Sequence, residues 1–136
     1  MAAATEDSLR GEGRRVLVIE DEVLIGMLLE DMLTDLGYVI AGTAARLEEA
    51  TGLARIAECD LAILDVNLNG KESYPVAEIL AERGIPFMFA TGYGERGMPP
   101  GFQSRPTLQK PFQLETLELQ LRKLEVCPGP ASSLER

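Results

Sequence analysis

Four places in the sequence carry side chains suited to handling a cation and a phosphoryl group: the acidic run Glu20-Asp21-Glu22, then Asp65, Thr91 and Lys110. Carboxylates gathered in one crevice repel one another by about 4 kcal/mol per pair, at roughly 4 Å and an effective dielectric of about 20. A hard divalent cation relieves that repulsion. Mg2+ fits such a place, since it takes one or two carboxylates, keeps several waters and completes its shell with phosphate oxygens. Lys110 offers a point positive charge and Thr91 a hydroxyl donor to a phosphoryl oxygen. An Asp carboxylate can itself be the nucleophile, giving an aspartyl-phosphate. Each residue alone is ordinary turn or surface chemistry. The set carries meaning only if one fold brings its members together.

The elements between them supply that fold. Arg14 to Ile19 is a short apolar run of the kind buried on both faces of a parallel sheet. Glu22 to Leu36 has Ile25, Leu28, Leu29, Met32, Leu33 and Leu36 at helical spacing, and Gly37 is the stop. Tyr38 to Gly42 reads as a second strand, and Leu47, Ala50, Leu53, Ala54 and Ala57 outline a second helix. Leu61 to Leu64 is a third strand, ending in Asp65. After a polar turn, Val66 to Ser73, a helix has Pro75 in its first turn and Val76, Ile79 and Leu80 on its apolar face; Gly84 closes it. Ile85 to Ala90 and Thr107 to Gln109 are the fourth and fifth strands, and Leu114, Leu117, Leu121 and Leu124 mark a last helix.

Where a helix is due after the fourth strand, Gly92 to Gly101 holds four glycines and two prolines in ten residues, so an irregular or shortened helix is expected there. The alternation implies an α/β class, a doubly wound five-stranded parallel sheet with right-handed crossovers. Functional groups in such sheets lie at the carboxyl ends of the strands. Four of the five strands end at a residue from the set above.

Composition removes several alternatives. The 136 residues carry no histidine, which excludes Ser-His-Asp and Cys-His nucleophiles, His-ligated metals and a phosphohistidine on this chain. A net charge of -9 disfavours binding to DNA or to an anionic membrane. Cys59 and Cys127 make neither a disulfide framework nor a metal motif, and no apolar run approaches a membrane span, so a soluble cytoplasmic protein is expected. Residues 1–13 read as a flexible leader, 14–125 as one domain and 126–136 as a flexible tail.

The runs Val18-Ile19-Glu20-Asp21-Glu22, Leu61-Ala62-Ile63-Leu64-Asp65, Phe89-Ala90-Thr91-Gly92 and Lys110-Pro111-Phe112 resemble the receiver domain of bacterial two-component response regulators, over roughly residues 14–125. Phe87 to Tyr93, with Asp65-Val66-Asn67-Leu68-Asn69-Gly70 and Pro75-Val76-Ala77, is similar to the FATGUY subgroup. The resemblance implies a flavodoxin-like sheet of order 2-1-3-4-5. It makes Asp65 the phosphoacceptor, with Mg2+ held by Asp21 directly, Glu20 through water, Asp65 itself and the backbone carbonyl of Asn67. Thr91 and Lys110 would bind the phosphoryl group, and Gly92 would leave it room.

It further implies a sensor histidine kinase, of the HWE or a related type, or a phosphotransfer protein as donor. The 11 residues after Glu125 leave no space for an output domain, so a stand-alone receiver is expected, signalling through a protein partner or serving as a phosphate sink. Thr107 stands where most receivers carry a switching Tyr or Phe. The expected switch is therefore Thr91, Gly92 and Tyr93, with residues 92–106 ordering on activation. A haloacid-dehalogenase-like phosphatase shares the Asp nucleophile but needs a second Asp two residues on, where this chain has Asn67.

Overall fold

The computed structural model describes residues 12–92 and 107–126. Five strands form the main sheet: β1 (Arg15–Ile19), β2 (Val39–Ala44), β3 (Leu61–Asp65), β4 (Phe87–Thr91) and β5 (Thr107–Gln109). Their order is β2-β1-β3-β4-β5, and every neighbouring pair is parallel. Four helices accompany them among the described residues: α1 (Val23–Asp35), α2 (Leu47–Ile56), α3 (Tyr74–Glu82) and α4 (Leu114–Val126). The expected doubly wound sheet of order 2-1-3-4-5 is thus present. The leader, the tail and the irregular fourth-helix segment fall outside the described residues, apart from Gly92 and the edges of the two termini.

Side-chain alternation along the strands explains the two layers. Leu17, Ile19, Ala62, Leu64, Phe87 and Phe89 point to one face, where α2 and α3 cover them with Ala50, Ala54, Val76, Ala77 and Leu80. Val16, Val18, Leu61, Ile63, Met88, Ala90 and Leu108 point to the other, under Leu29 and Leu33 of α1 and Leu117, Leu121 and Leu124 of α4. β3 and β4 are buried along their whole length, as near-continuous apolar runs in a parallel sheet must be.

Local signals set most element ends. Gly37 takes a positive φ of 93° after α1, and Tyr38 N–H bonds back to the Leu33 carbonyl, a helix stop that a β-carbon would oppose. Pro75 lies in the first turn of α3 with Ser73 as its cap residue. Three expectations shift. Glu22 is the cap residue of α1 and not part of its first turn. β2 runs on to Ala44, because a bulge opposite Val16 and Leu17 lets Gly42, Thr43 and Ala44 continue the pairing with β1. The stretch Val66 to Ser73 contains a two-residue hairpin, Asn67–Leu68 paired with Lys71–Glu72, where a plain polar turn was expected.

Phe89 is fully buried and meets Tyr74 and Phe87 edge to face, at centroid distances of 6.1 and 5.6 Å. Phe89→Ala should therefore cost about 3–5 kcal/mol in urea unfolding. Ile56→Ala, at a residue 75% exposed, should stay within about 0.5 kcal/mol of wild type. Similar losses for both would contradict this account of the core.

Candidate functional site

The parallel sheet brings its carboxyl ends to one edge, and the strand-end residues meet there. Asp65 is the last residue of β3 and Thr91 the last of β4, while Glu20 follows β1 and Lys110 follows β5. Glu20, Asp65 and Lys110 come two residues after Val18, Ile63 and Leu108, all on the α1/α4 face, so the pleat sends the three toward one another. The backbone locks the edge. Glu20 N–H donates to the Ala44 carbonyl at 3.0 Å, and Lys110 N–H to the Thr91 carbonyl at 2.9 Å.

Lys110 Nζ lies 3.2 Å from Asp65 Oδ2, 3.2 Å from Glu20 Oε2 and 3.0 Å from Glu20 Oε1. Both carboxylates are buried, and Lys110 is mostly so. Asp21 stands beside them, half-buried, and one carboxylate oxygen from each of Glu20, Asp21 and Asp65 falls within a mutual 4.8 Å. Thr91 is buried at the same edge. Three backbone donors complete the cluster: Glu22 N–H reaches Glu20 Oε2 at 3.2 Å, Asn67 N–H reaches Asp65 Oδ1 at 3.3 Å, and Asn69 N–H reaches Asp21 Oδ2 at 2.8 Å.

Electrostatics follow from this crowding. Burial, then the charge of Asp65, lifts the Glu20 carboxyl from 4.5 to about 7, with Lys110 acting against the rise. Burial also pushes the Asp65 carboxyl up, against a hydrogen bond with Glu20, the charge of Lys110 and the hydrogen bonds from Asn67 N–H and Lys110. For Lys110, burial pulls the ammonium down, but hydrogen bonding to Glu20 and the charges of both acids outweigh it and hold it above its usual value. One lysine cannot fully balance three acids. The donor set is all oxygen, and Glu20 Oε1 is buried without a hydrogen bond of good geometry despite its nearness to Nζ. That combination fits a hard divalent cation.

The residues picked from the sequence mostly converge: Glu20, Asp21, Asp65, Thr91 and Lys110 stand at one sheet edge. Asn67 contributes its N–H to Asp65, and its side-chain oxygen accepts from Gly70 N–H at 2.8 Å. Among the described residues, a β-carbon built at Gly92 meets nothing within 4 Å. Tyr93 and the remainder of the proposed switch lie outside the described residues. Thr107 opens β5 opposite Phe89. Asn69 is the contributor that sequence reading missed; the Asn69-Gly70 pair, a strong hairpin signal, could have found it.

A family model for the response regulator receiver domain matches residues 16–122. The chain is 37% identical over 99 residues to the transcriptional regulatory protein PdtaR of Mycobacterium tuberculosis (strain ATCC 25618 / H37Rv), a match covering 72% of this chain and 48% of that one. It spans about half the length of the curated relatives it matches. Among solved structures it is similar to SdrG from Sphingomonas melonis Fr1, with 43% identity, a TM-score of 0.76 and coverage of 84% of this chain and 98% of that chain. It is similar also to the BeF3-activated conformation of SdrG from Pseudomonas melonis Fr1, with 44% identity, a TM-score of 0.71 and coverage of 81% and 94%.

A carboxyl group whose folded pKa is raised binds its proton more tightly in the native state than in the unfolded chain. Its contribution to stability is present at low pH and is lost as pH climbs from about 4.5 to about 7. In metal-free protein, the melting temperature of wild type relative to Glu20→Gln should therefore fall across that interval. A constant difference would contradict the strained acidic cluster.

Proposed function

The chain belongs to the response regulator receiver domain family, and we propose that Asp65 is its phosphoacceptor, charged by a sensor histidine kinase. The observation that carries this reading is the ammonium of Lys110 at 3.2 Å from Asp65 Oδ2, beside three acids able to share a cation. A receiver is a phosphoacceptor domain and not a conventional enzyme.

Glu20, Asp21 and Asp65, with the Asn67 carbonyl, would hold Mg2+; when bound, the ion supplies charge neutralisation for the incoming phosphoryl oxygens. The chain's own groups do the rest. Asp65 presents a carboxylate oxygen to phosphorus, forming the P–O bond as the P–N bond of a phosphohistidine breaks and its electron pair leaves on the imidazole. Lys110 is drawn from its two carboxylates toward the phosphoryl oxygens, and the Thr91 hydroxyl donates to another. Gly92 leaves the group room.

The finer reading is of a FATGUY receiver working alone in the cytoplasm, with a kinase of the HWE or a related type as donor. It would signal through a protein partner or act as a phosphate sink. Phe87 to Tyr93 supports the subgroup. The likeness to SdrG over 98% of that chain supports the receiver reading. Among the described residues no helix is long and apolar enough to cross a membrane.

Two outcomes are expected. Mg2+ should raise the melting temperature by ligand linkage, and Asp21→Asn should remove most of that rise. Acetyl phosphate or beryllofluoride with Mg2+ should modify or occupy wild type without any kinase, read by intact mass and by fluorine NMR. Asp65→Asn should show neither; an adduct that persists in this variant identifies a different nucleophile.

A further inference from the structure

The hairpin after Asp65 touches two acids, Asp65 at the end of β3 and Asp21 just beyond β1. Its Asn67 N–H meets Asp65, and its Asn69 N–H meets Asp21. Among the described residues, the 2.8 Å bond from Asn69 is the one hydrogen bond to the Asp21 carboxylate. A carboxylate with one oxygen held by a fixed backbone donor has its plane set, and with it the direction of its second oxygen. An Asp at the half-buried mouth of the cluster would otherwise rotate freely.

The position of that donor depends on a very short hairpin. Two ladder pairs, Asn67 with Glu72 and Leu68 with Lys71, are too few to be stable alone. Leu68 anchors one side in the core at 1% exposure. The tip, Asn69 and Gly70, is exposed and left-handed, with φ of 53° and 88°, the conformation of a primed two-residue turn. Lys71 pairs with Glu48 at 3.6 Å, but both ends are solvent-exposed and contribute little. What closes the tip is the Asn67 side chain, whose Oδ1 accepts from Gly70 N–H at 2.8 Å.

We infer that the Asn67 side-chain amide is a positioning residue for the cation site: by closing the hairpin on Gly70, it fixes the Asn69 N–H that orients Asp21. This rests on the reading of Asp21 as a Mg2+ ligand. It adds to the backbone carbonyl of Asn67 a separate role for its side chain, which is engaged by Gly70 N–H in the turn. Partners beyond the ligands themselves set ligand direction and affinity at metal sites generally.

Asn67→Ala keeps the backbone carbonyl and deletes only the closing acceptor. In the full chain without metal, amide hydrogen exchange at Gly70 and Asn69 should become about tenfold faster, and Mg2+ affinity by calorimetry should weaken by about tenfold. The melting temperature of the metal-free variant should stay near wild type, since the hairpin lies at the surface. Asn67→Asp retains an acceptor oxygen and should restore slow exchange at both amides. Asp21→Ala should release the Asn69 amide while Gly70 stays protected. If wild type binds Mg2+ and Asn67→Ala binds it equally well, the inference is wrong and the assignment of Asp21 survives. If millimolar Mg2+ does not bind wild type, the assignment of Asp21 fails and the inference with it. Unchanged exchange at Asn69 in Asn67→Ala would also overturn it.

Discussion

Lys110 Nζ sits within 3.2 Å of two buried carboxylates, and the edge of the sheet is arranged around that ammonium. Without it, Glu20 and Asp65 would face each other across a few ångströms of protein with no compensating charge, an arrangement far more costly than a surface ion pair. With it, the acids tolerate burial, yet Asp21 leaves the cluster with more negative charge than one lysine supplies. The site is therefore held together and left incomplete by the same group. A cation and a phosphoryl group are the two additions that its charges accommodate.

The fold serves this cluster directly. Parallel strands put their carboxyl ends on one edge, and the fully buried runs of β3 and β4 hold the register in which residues at the ends of β1, β3 and β5 meet. Glu20 and Lys110 are 90 residues apart in sequence and 3.0 Å apart in space. Helices on both faces exclude water from the stems of these side chains, which is why the Glu20 carboxyl rises to about 7. Packing and site electrostatics are here one problem.

Much of this was legible in the sequence because parallel sheets write it plainly. Leu61 to Asp65 and Phe87 to Thr91 are continuous apolar runs that stop at a polar residue, and the stop is the site. What was not legible depends on tertiary contact. The bulge that extends β2 to Ala44 is a matter of how β2 pairs with β1, which no local pattern in Tyr38 to Gly42 contains. The hairpin at Asn67 to Glu72 is too short to leave a periodic signature, although Asn69-Gly70 marks its turn. That the turn's N–H reaches Asp21, 48 residues earlier, only the folded chain discloses.

Burial and the nearby charge of Asp65 raise the Glu20 carboxyl above its ordinary range, and a cation entering the cluster should lower it again. Carbon-13 NMR titration of the side-chain carboxyl signals, assigned through Glu20→Gln, reads this directly. Glu20 should show a midpoint of about 7 in metal-free protein and a clear fall when Mg2+ is present. A Glu20 that titrates near 4.5 in both conditions would contradict it.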